Sequence, residues 1–435
     1  MLRRRPVPCA VVFTFLSALT IYNMMLGFRL IPMERAVSIN SNDTIRASFH
    51  DWFDNPHPSI SINTSDVTHQ LHFRSTIGRL DTRRRYKIHD FLVIGKKWDQ
   101  VSNGRVCLAT QTSLDRFSTL GEVTSEWQGP VSVTVFAPDQ EFPLALRYIT
   151  FLQNCFPAVN DNVSFHMVYP ANRPPAYSSR LDTEPLVMNC NQPQETLTRV
   201  LKLRPLSMMQ WRDMTLYPQN HLRNVARKNC QSPYVFQTDV DIIPRRGLAI
   251  SLAMFLRRPD VCDPCSFVVP TYEVEASVPR LPLTKSELIK LVNKRQAQPF
   301  HKVIFIYNQY ATNNTRWEQI PEKDDMDAAY KVTNYEFFYE PFYVSKDSVP
   351  PHDERFVGYG FTRNTQVYEM VLAGYKLWVL NNAFALHRGL VMKKTRPLWR
   401  ERQNSANAHL LDGFKKEVAV KYSRVNQHKK RPSPR

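Results

Sequence analysis

Two aspartates one residue apart, Asp239 and Asp241, close the apolar run Tyr234-Val235-Phe236-Gln237-Thr238 and are followed by Ile242-Ile243-Pro244. The apolar run reads as a strand. If the chain stays extended through Val240, positions i and i+2 project to one side and both carboxylates converge on one site. Hard divalent cations take oxygen ligands, and Mg2+ or Mn2+ bridges carboxylates to substrate phosphates. A cation there neutralises charge building on a departing diphosphate. The bland alternative is a pair of aspartates capping a turn. A second acidic pair, Asp353-Glu354, stands just before Gly358-Tyr359-Gly360 with Arg355 beside it. It offers either a general base for an attacking hydroxyl or a loop carboxylate paired with Arg355. His387 follows another apolar run. Taken alone it reads as a satisfied core or turn histidine.

The elements that must position these residues are legible upstream. Val106 to Thr110, Val131 to Phe136, Val163 to Tyr169 and Tyr234 to Thr238 read as strands. Ser113 to Trp127, Phe142 to Asn154 and Asn220 to Lys228 read as helices between them. Alternating strands and helices predict an α/β fold with a mostly parallel sheet and helices on both faces. Ligands in such sheets bind outside the carboxyl ends of the strands, where Asp239 and Asp241 fall.

The chain has 435 residues, 43% hydrophobic and 22% charged, which suits a globular body with appendages. Its formal net charge is +18, with clusters at Arg3–Arg5, Arg83–Arg85 and Lys429–Arg431. No zinc-finger spacing, basic zipper or aromatic RNA-binding signature accompanies that charge, so nucleic acid is not an expected partner. A basic enzyme suits anionic substrates such as a nucleotide diphosphate or an acidic glycan.

The address is read from the first residues. Arg3, Arg4 and Arg5 precede an uncharged apolar run from Val7 to Phe28, long enough to cross a bilayer. Arginines on the short side favour a cytosolic tail, 1–6, and a signal-anchor, 7–28, over a cleaved leader. A polar stem over 29–86, a catalytic body over 87–425 and a basic tail over 426–435 complete the expected layout. Asn42, Asn63, Asn162 and Asn313 each begin an N-x-[ST] glycosylation pattern. Cys107, Cys155, Cys190, Cys230, Cys262 and Cys265 make an even set beyond the anchor, consistent with disulfides whose pairing the sequence leaves open. Together these features predict a single-pass type II membrane protein with its body in the secretory lumen, and the Golgi membrane is the expected address.

Ordered tracts carry a family resemblance. Ala109-Thr110-Gln111-Thr112-Ser113, Trp127-Gln128-Gly129-Pro130 and Tyr217-Pro218-Gln219-Asn220-His221-Leu222-Arg223-Asn224 come first. Asp239-Val240-Asp241, Leu281 to Leu288, Glu340 to Val344, Asp353 to Phe356, Gly358 to Phe361 and Val379 to His387 follow in the same order. As a set, over roughly Cys107 to Tyr422, the chain resembles the family of the β-1,4-glucuronyltransferase of the dystroglycan pathway. That family also includes the second catalytic domain of the bifunctional xylosyl- and glucuronyltransferase.

The resemblance implies a GT-A fold, a UDP-sugar donor, a glycan acceptor, Mn2+ or another divalent cation, and inversion at the anomeric carbon. It implies metal ligation by Asp239, Asp241 and His387, and favours Asp353 over Glu354 as the base. Some related transferases place the base directly after the glycine turn, where Phe361-Thr362-Arg363-Asn364 holds no acid. Thr110 and Gln111, ending the first strand, are expected near the uridine. Arg223 and Asn224 are expected near the diphosphate or donor sugar, and Arg280 and Lys285 near a donor carboxylate, guanidinium being the natural bidentate partner of such anions. Glucuronate is the expected sugar. The alternatives are UDP-GlcNAc or another UDP-hexose, or a non-catalytic lumenal glycan-binding protein that keeps the fold. Other Golgi glycosyltransferases are expected complex partners.

Overall fold

The computed structural model describes residues 78–102, 106–176, 189–392 and 397–429. The expected cytosolic tail, membrane anchor, nearly all of the stem, Asn42 and Asn63 lie outside the described residues. Among the described residues, no helix is long and apolar enough to cross a membrane.

Two mixed sheets organise the body. The strands are β1 (Arg79–Leu80), β2 (Tyr86–Ile94), β3 (Val106–Ser113), β4 (Val131–Phe136), β5 (Val163–Pro170), β6 (Tyr234–Gln237), β7 (Ile242–Pro244), β8 (Cys265–Val268), β9 (Thr271–Val274), β10 (Ala297–Pro299), β11 (Ala328–Lys331), β12 (Tyr343–Lys346), β13 (Lys376–Leu380) and β14 (Ala385–Arg388). The ten-stranded sheet runs β1-β2-β5-β4-β3-β6-β12-β8-β13-β11, and a four-stranded sheet runs β10-β9-β14-β7.

The expected α/β class is observed, but the large sheet is not mostly parallel. Its parallel heart is β5-β4-β3-β6, with one more parallel pair at β8-β13. The other five pairings are antiparallel. The parallel strands are those joined by helical crossovers, which parallel pairing requires. β12 enters between β6 and β8 from the opposite direction, and the chain beyond β6 lacks the regular alternation that the first half shows.

The heart is buried on both faces, as parallel strands are. All six residues of β4 and all eight of β5 are buried. On one face lies the helix Gln219–Lys228, whose Leu222 and Val225 pack with Ile88, Phe136 and Val168. Its Ala226 joins Cys107, Ala109 and Val235. On the other face Phe117 meets Phe165 and Trp127 meets Phe236.

Other boundaries shift. The expected helix Ser113–Trp127 is a 3-10 helix, Leu114–Thr119, followed by an α-helix, Leu120–Trp127. Arg116 leaves helical geometry at φ −125°, ψ 22°. β1, the turn after it and Tyr86 belong to the sheet, although the sequence reading assigned them to the stem. The last helix spans Leu398–Lys429, so it runs into the expected C-terminal tail.

The six cysteines pair as Cys107–Cys230, Cys155–Cys190 and Cys262–Cys265. The first bridge ties β3 to the end of the helix that lies over it. Closing a loop of that length contributes roughly 4–5 kcal/mol in the chain-entropy account. Asn162 ends the short helix Pro157–Asn162, and Asn313 is exposed, with its side-chain oxygen capping the helix Asn314–Gln319.

Candidate functional site

The site is built where β6 ends. Thr238 still bonds to the carbonyl of Ala109, continuing the β3–β6 ladder, and then the chain turns. The Ile242 amide donates to the Asp239 carbonyl at 3.1 Å, so Asp239-Val240-Asp241 is a turn and not extended chain. The sequence argument from alternating side chains therefore does not hold at this point. Thr119 Oγ1 fixes the turn by donating to the Val240 carbonyl at 2.8 Å, while Val240 is buried.

The turn delivers its two aspartates into different company. Asp239 Oδ1 accepts from Arg363 Nη2 at 2.7 Å and from Arg223 Nη2 at 3.1 Å. Burial alone raises its pKa, but the charges of Arg363 and Arg223 outweigh that and take it down to about 2. Asp241 faces His387, with Nε2 3.9 Å from Oδ2, and the exposed Arg116 approaches the same oxygen at 3.3 Å. Burial and the neighbouring Asp239 charge push the Asp241 pKa up, against His387 and Arg116.

The second sheet brings His387 there. β14 pairs with β7 so that His387 sits opposite Ile242, directly after Asp241, and with β9 so that it sits opposite Glu273. His387 is not a core histidine: its side chain is 22% exposed. Its Nδ1 lies 3.2 Å from the Gly389 carbonyl, an acceptor only, so Nδ1 donates there and Nε2 is the nitrogen that faces Asp241. Ligating histidines are held in this way, the far ring nitrogen bonded to an acceptor.

A carboxylate oxygen and an imidazole nitrogen facing each other are donors that suit Mn2+ or a similar first-row cation. Among the described residues, no group of three or more His, Cys, Asp or Glu side chains forms a ready cage. A partial donor set is what a cation shared with substrate phosphates needs. The residues present fit such an ion, with Asp241 and His387 facing it and Asp239 held beside them by two guanidiniums.

The other expected residues divide. Arg223 is buried and joins the centre, held by Asn220 Oδ1, Thr362 Oγ1 and Asp239. Asn224, one position further round the helix, turns away and clasps the backbone of His352 and the carboxylate of Glu354. Thr110 and Gln111 are buried within β3, which continues to Ser113, so they do not end the strand. Gln111 accepts from the Tyr217 hydroxyl. Arg280 is exposed and pairs with Glu287 at 3.1 Å. Lys285 is buried, and its three Nζ protons go to the Trp317 and Ile320 carbonyls and Asn381 Oδ1. It has no donor left for a substrate carboxylate.

The expected base is likewise engaged elsewhere. Asp353 holds Arg355 through both oxygens, at 2.6 to 3.0 Å, and Arg355 in turn pairs with Glu417 on the last helix. Glu354 accepts from His221 and Asn224, and these bonds outweigh burial to lower its pKa. Neither carboxylate contacts Asp239, Asp241 or His387, so the loop-carboxylate reading describes them.

Three participants escape sequence reasoning. Arg363 sits in the very stretch noted for lacking an acid, and its buried guanidinium lies 4.4 Å from the centre of the Phe342 ring. Arg116 reaches Asp241 because the helix breaks there. Glu273, fully buried on β9, accepts from His301 N, Gln298 Nε2 and Val391 N, and so ties three segments behind His387. None has a local signature, since their partners lie 25 to 125 residues away.

The glycine turn that precedes Arg363 is clamped by the last helix. Asn407 Nδ2 donates to the carbonyls of Val357, Tyr359 and Gly360, and Gln403 Oε1 accepts from the Tyr359 amide. Gly358 and Gly360 have φ of +77° and +95°, and a Cβ on either would collide with Gln403 or Asn404. Phe356 packs with Phe414 and Val418 below the turn.

Comparison with known proteins gives the following. Residues 105–423 match the family model described as "Glycosyl-transferase for dystroglycan". The chain is 33% identical to the beta-1,4-glucuronyltransferase 1 of Mus musculus over 322 residues, 73% of this chain and 76% of that protein. The Homo sapiens protein of the same name matches at the same identity and coverage. The xylosyl- and glucuronyltransferase LARGE2s of Danio rerio is 27% identical over 286 residues, 65% of this chain and 31% of that protein.

Proposed function

Because the chain belongs to the family of glycosyl-transferases for dystroglycan and is a glycosyltransferase, we propose that it transfers glucuronate from a UDP-linked donor to a glycan acceptor with inversion, on a GT-A-type fold. The observation that carries this reading is the turn Asp239-Val240-Asp241 set against His387 with three guanidiniums around it. The relatives' printed names supply the sugar, and the cationic surround suits a donor that brings both a diphosphate and a carboxylate.

In this reading Asp241 and His387, with Asp239 beside them, would hold a divalent cation, Mn2+ first. When bound, such an ion neutralises charge on the leaving diphosphate. Arg223 and Arg363 hold Asp239 ionised and fix the carboxylate's direction. Arg116 lies on the solvent side of Asp241 and is placed to pair with phosphate oxygens. The base is not assigned to Asp353 or Glu354, since the fold occupies both.

The reading includes a type II orientation in the Golgi membrane with the body lumenal. The disulfides support an oxidising compartment. Mass spectrometry of native protein should find peptides N-terminal to Phe28. A mature N-terminus within or just after the apolar run would overturn the anchor. The function is tested with full-length protein in detergent, a panel of UDP-sugars, Mn2+, and glycans released from dystroglycan as acceptors. UDP release and product mass should select UDP-glucuronate. Selection of UDP-GlcNAc or another UDP-hexose would replace the sugar, and absence of transfer from every donor would remove the catalytic reading.

A further inference from the structure

Beside the Asp239 centre stands a wall of aromatic rings that no step above uses. Phe305 contacts Tyr307 at 5.4 Å and Phe338 at 5.7 Å between ring centres. Phe338 and Phe337 each lie 6.4 Å from Phe361. Tyr307 is 53% exposed and Phe338 44%, so the wall presents ring faces to solvent. Apolar side chains scattered over a surface need no explanation, but contiguous exposed aromatics mark binding surfaces.

Two chain segments lead from the wall to the centre. Phe361 stands two residues before Arg363, the guanidinium that holds Asp239. The segment carrying Phe305 begins at Phe300-His301, where Phe300 lies 5.8 Å from His387 between ring centres. Asn308, closing that segment, bonds both to the carboxylate and to the amide of Glu340.

Phe361 also adopts a conformation that bulky residues avoid, with φ +56°. Left-handed backbone is disfavoured at such a residue because its Cβ crowds the following carbonyl oxygen. Strain of this kind persists where the surroundings impose it, and it gathers at ligand clamps and active sites. Here the clamped glycine turn on one side and the Thr365 hydroxyl on the other hold the Phe361 backbone, and its side chain packs against the Phe356, Phe414 and Val418 cluster.

We propose that Phe305, Tyr307, Phe338 and Phe361 form the acceptor subsite, a platform on which a pyranose ring of the acceptor glycan stacks next to the donor centre. This rests on the glycosyltransferase reading. A transferase must hold an acceptor hydroxyl beside the donor carbon, and the wall is carried by the same segments as Arg363, which holds Asp239, and Phe300, which lies by His387. Pyranose rings carry an apolar C–H face that aromatic faces cover, while their hydroxyls stay at the edge in water. The occupant is therefore a neutral or acidic sugar chain.

The test uses full-length protein in detergent on an array of immobilised pyranose oligosaccharides, with the strongest binder then titrated in solution. Tyr307→Ala and Phe338→Ala should each weaken glycan affinity by on the order of tenfold or more, as lost pocket contacts do. Tyr307→Phe and Phe338→Tyr should restore it, and UDP affinity should stay at the wild-type value throughout. Unchanged glycan affinity in both alanine variants overturns the platform. So does UDP affinity falling in step, which would make these rings part of the donor side or the fold. Conversion of a dimer to a monomer with glycan affinity intact would assign the wall to self-association instead. If glycans bind through these rings yet no UDP-sugar supports transfer, the platform stands and the glycosyl-transfer reading falls.

Discussion

Two acidic pairs of similar sequence appearance have opposite surroundings in the fold. Asp239 and Asp241 hang from a turn at the end of a central strand, the first held by Arg223 and Arg363, the second facing His387 and the exposed Arg116. Asp353 and Glu354 lie over the helix Gln219–Lys228, and their oxygens are taken by Arg355, His221 and Asn224. A carboxylate whose lone pairs are filled by fixed donors in the fold is a structural tie, and Asp239 shares that character through the buried Arg223 and Arg363. Asp241, met only by His387 and the exposed Arg116, is the one left available for ligand. Residue type and spacing do not separate these cases; the partners do.

The sharpest way to break that contrast is Asp241→Asn. It should lower turnover by about 10²–10³-fold or more, the scale of losing one preorganised charge stabiliser, while the melting temperature stays near wild type. Turnover near wild type, or full activity in EDTA, would show that Asp241 holds nothing the reaction needs.

Asp353→Asn should do the reverse. Removing a charge that holds a guanidinium through several bonds is expected to cost about 1.5–3 kcal/mol of stability. The turnover of the folded fraction should stay within a few-fold. A loss of kcat on the order of 10²-fold at unchanged stability would instead reinstate Asp353 as the base.

A third carboxylate tests burial without ligand access. Glu141 is fully buried, and burial raises its pKa to about 6, against the lowering charges of Arg212 and Arg204. Folded protein then binds more protons than unfolded between the ordinary value near 4.5 and about 6. Stability conferred by this group is present at the acid end and is lost as pH rises through that window, by on the order of 2 kcal/mol. Denaturant titrations of wild type and Glu141→Gln should show a stability difference that changes across this range. A constant difference would mean that the two arginines fully compensate the burial.

The mildest change is Arg363→Lys. It keeps the charge but removes the planar fork that reaches Asp239 while lying over Phe342, so kcat/KM should fall about tenfold. An unchanged value would place the control of Asp239 on Arg223 alone.

Much of the frame was legible because its signals are local. Strands from Val106, Val131, Val163 and Tyr234 are apolar runs broken by helical stretches, and all four occur within a residue or a few of where the pattern puts them. The position of Asp239 and Asp241 past a strand end was legible for the same reason. The turn geometry was not, because one bond from Ile242 to Asp239 decides it. His387 alone looks like any histidine after apolar residues, and only its pairing with β7 gives it a neighbour. Arg223 and Asn224 were inseparable in sequence. The helical rotation between them sends one to Asp239 and the other to Glu354. Lys285 resembled a surface cation until three buried acceptors claimed it.

The hold of Gln403 and Asn407 on the turn from Val357 to Gly360 also makes one part of the molecule answerable to another. The turn's fastener lies more than 40 residues along the chain, on the helix Leu398–Lys429. The direction in which Arg363 reaches Asp239 therefore depends on how that helix is seated, so a change on a helix that carries none of the candidate metal ligands can retune the centre at a distance.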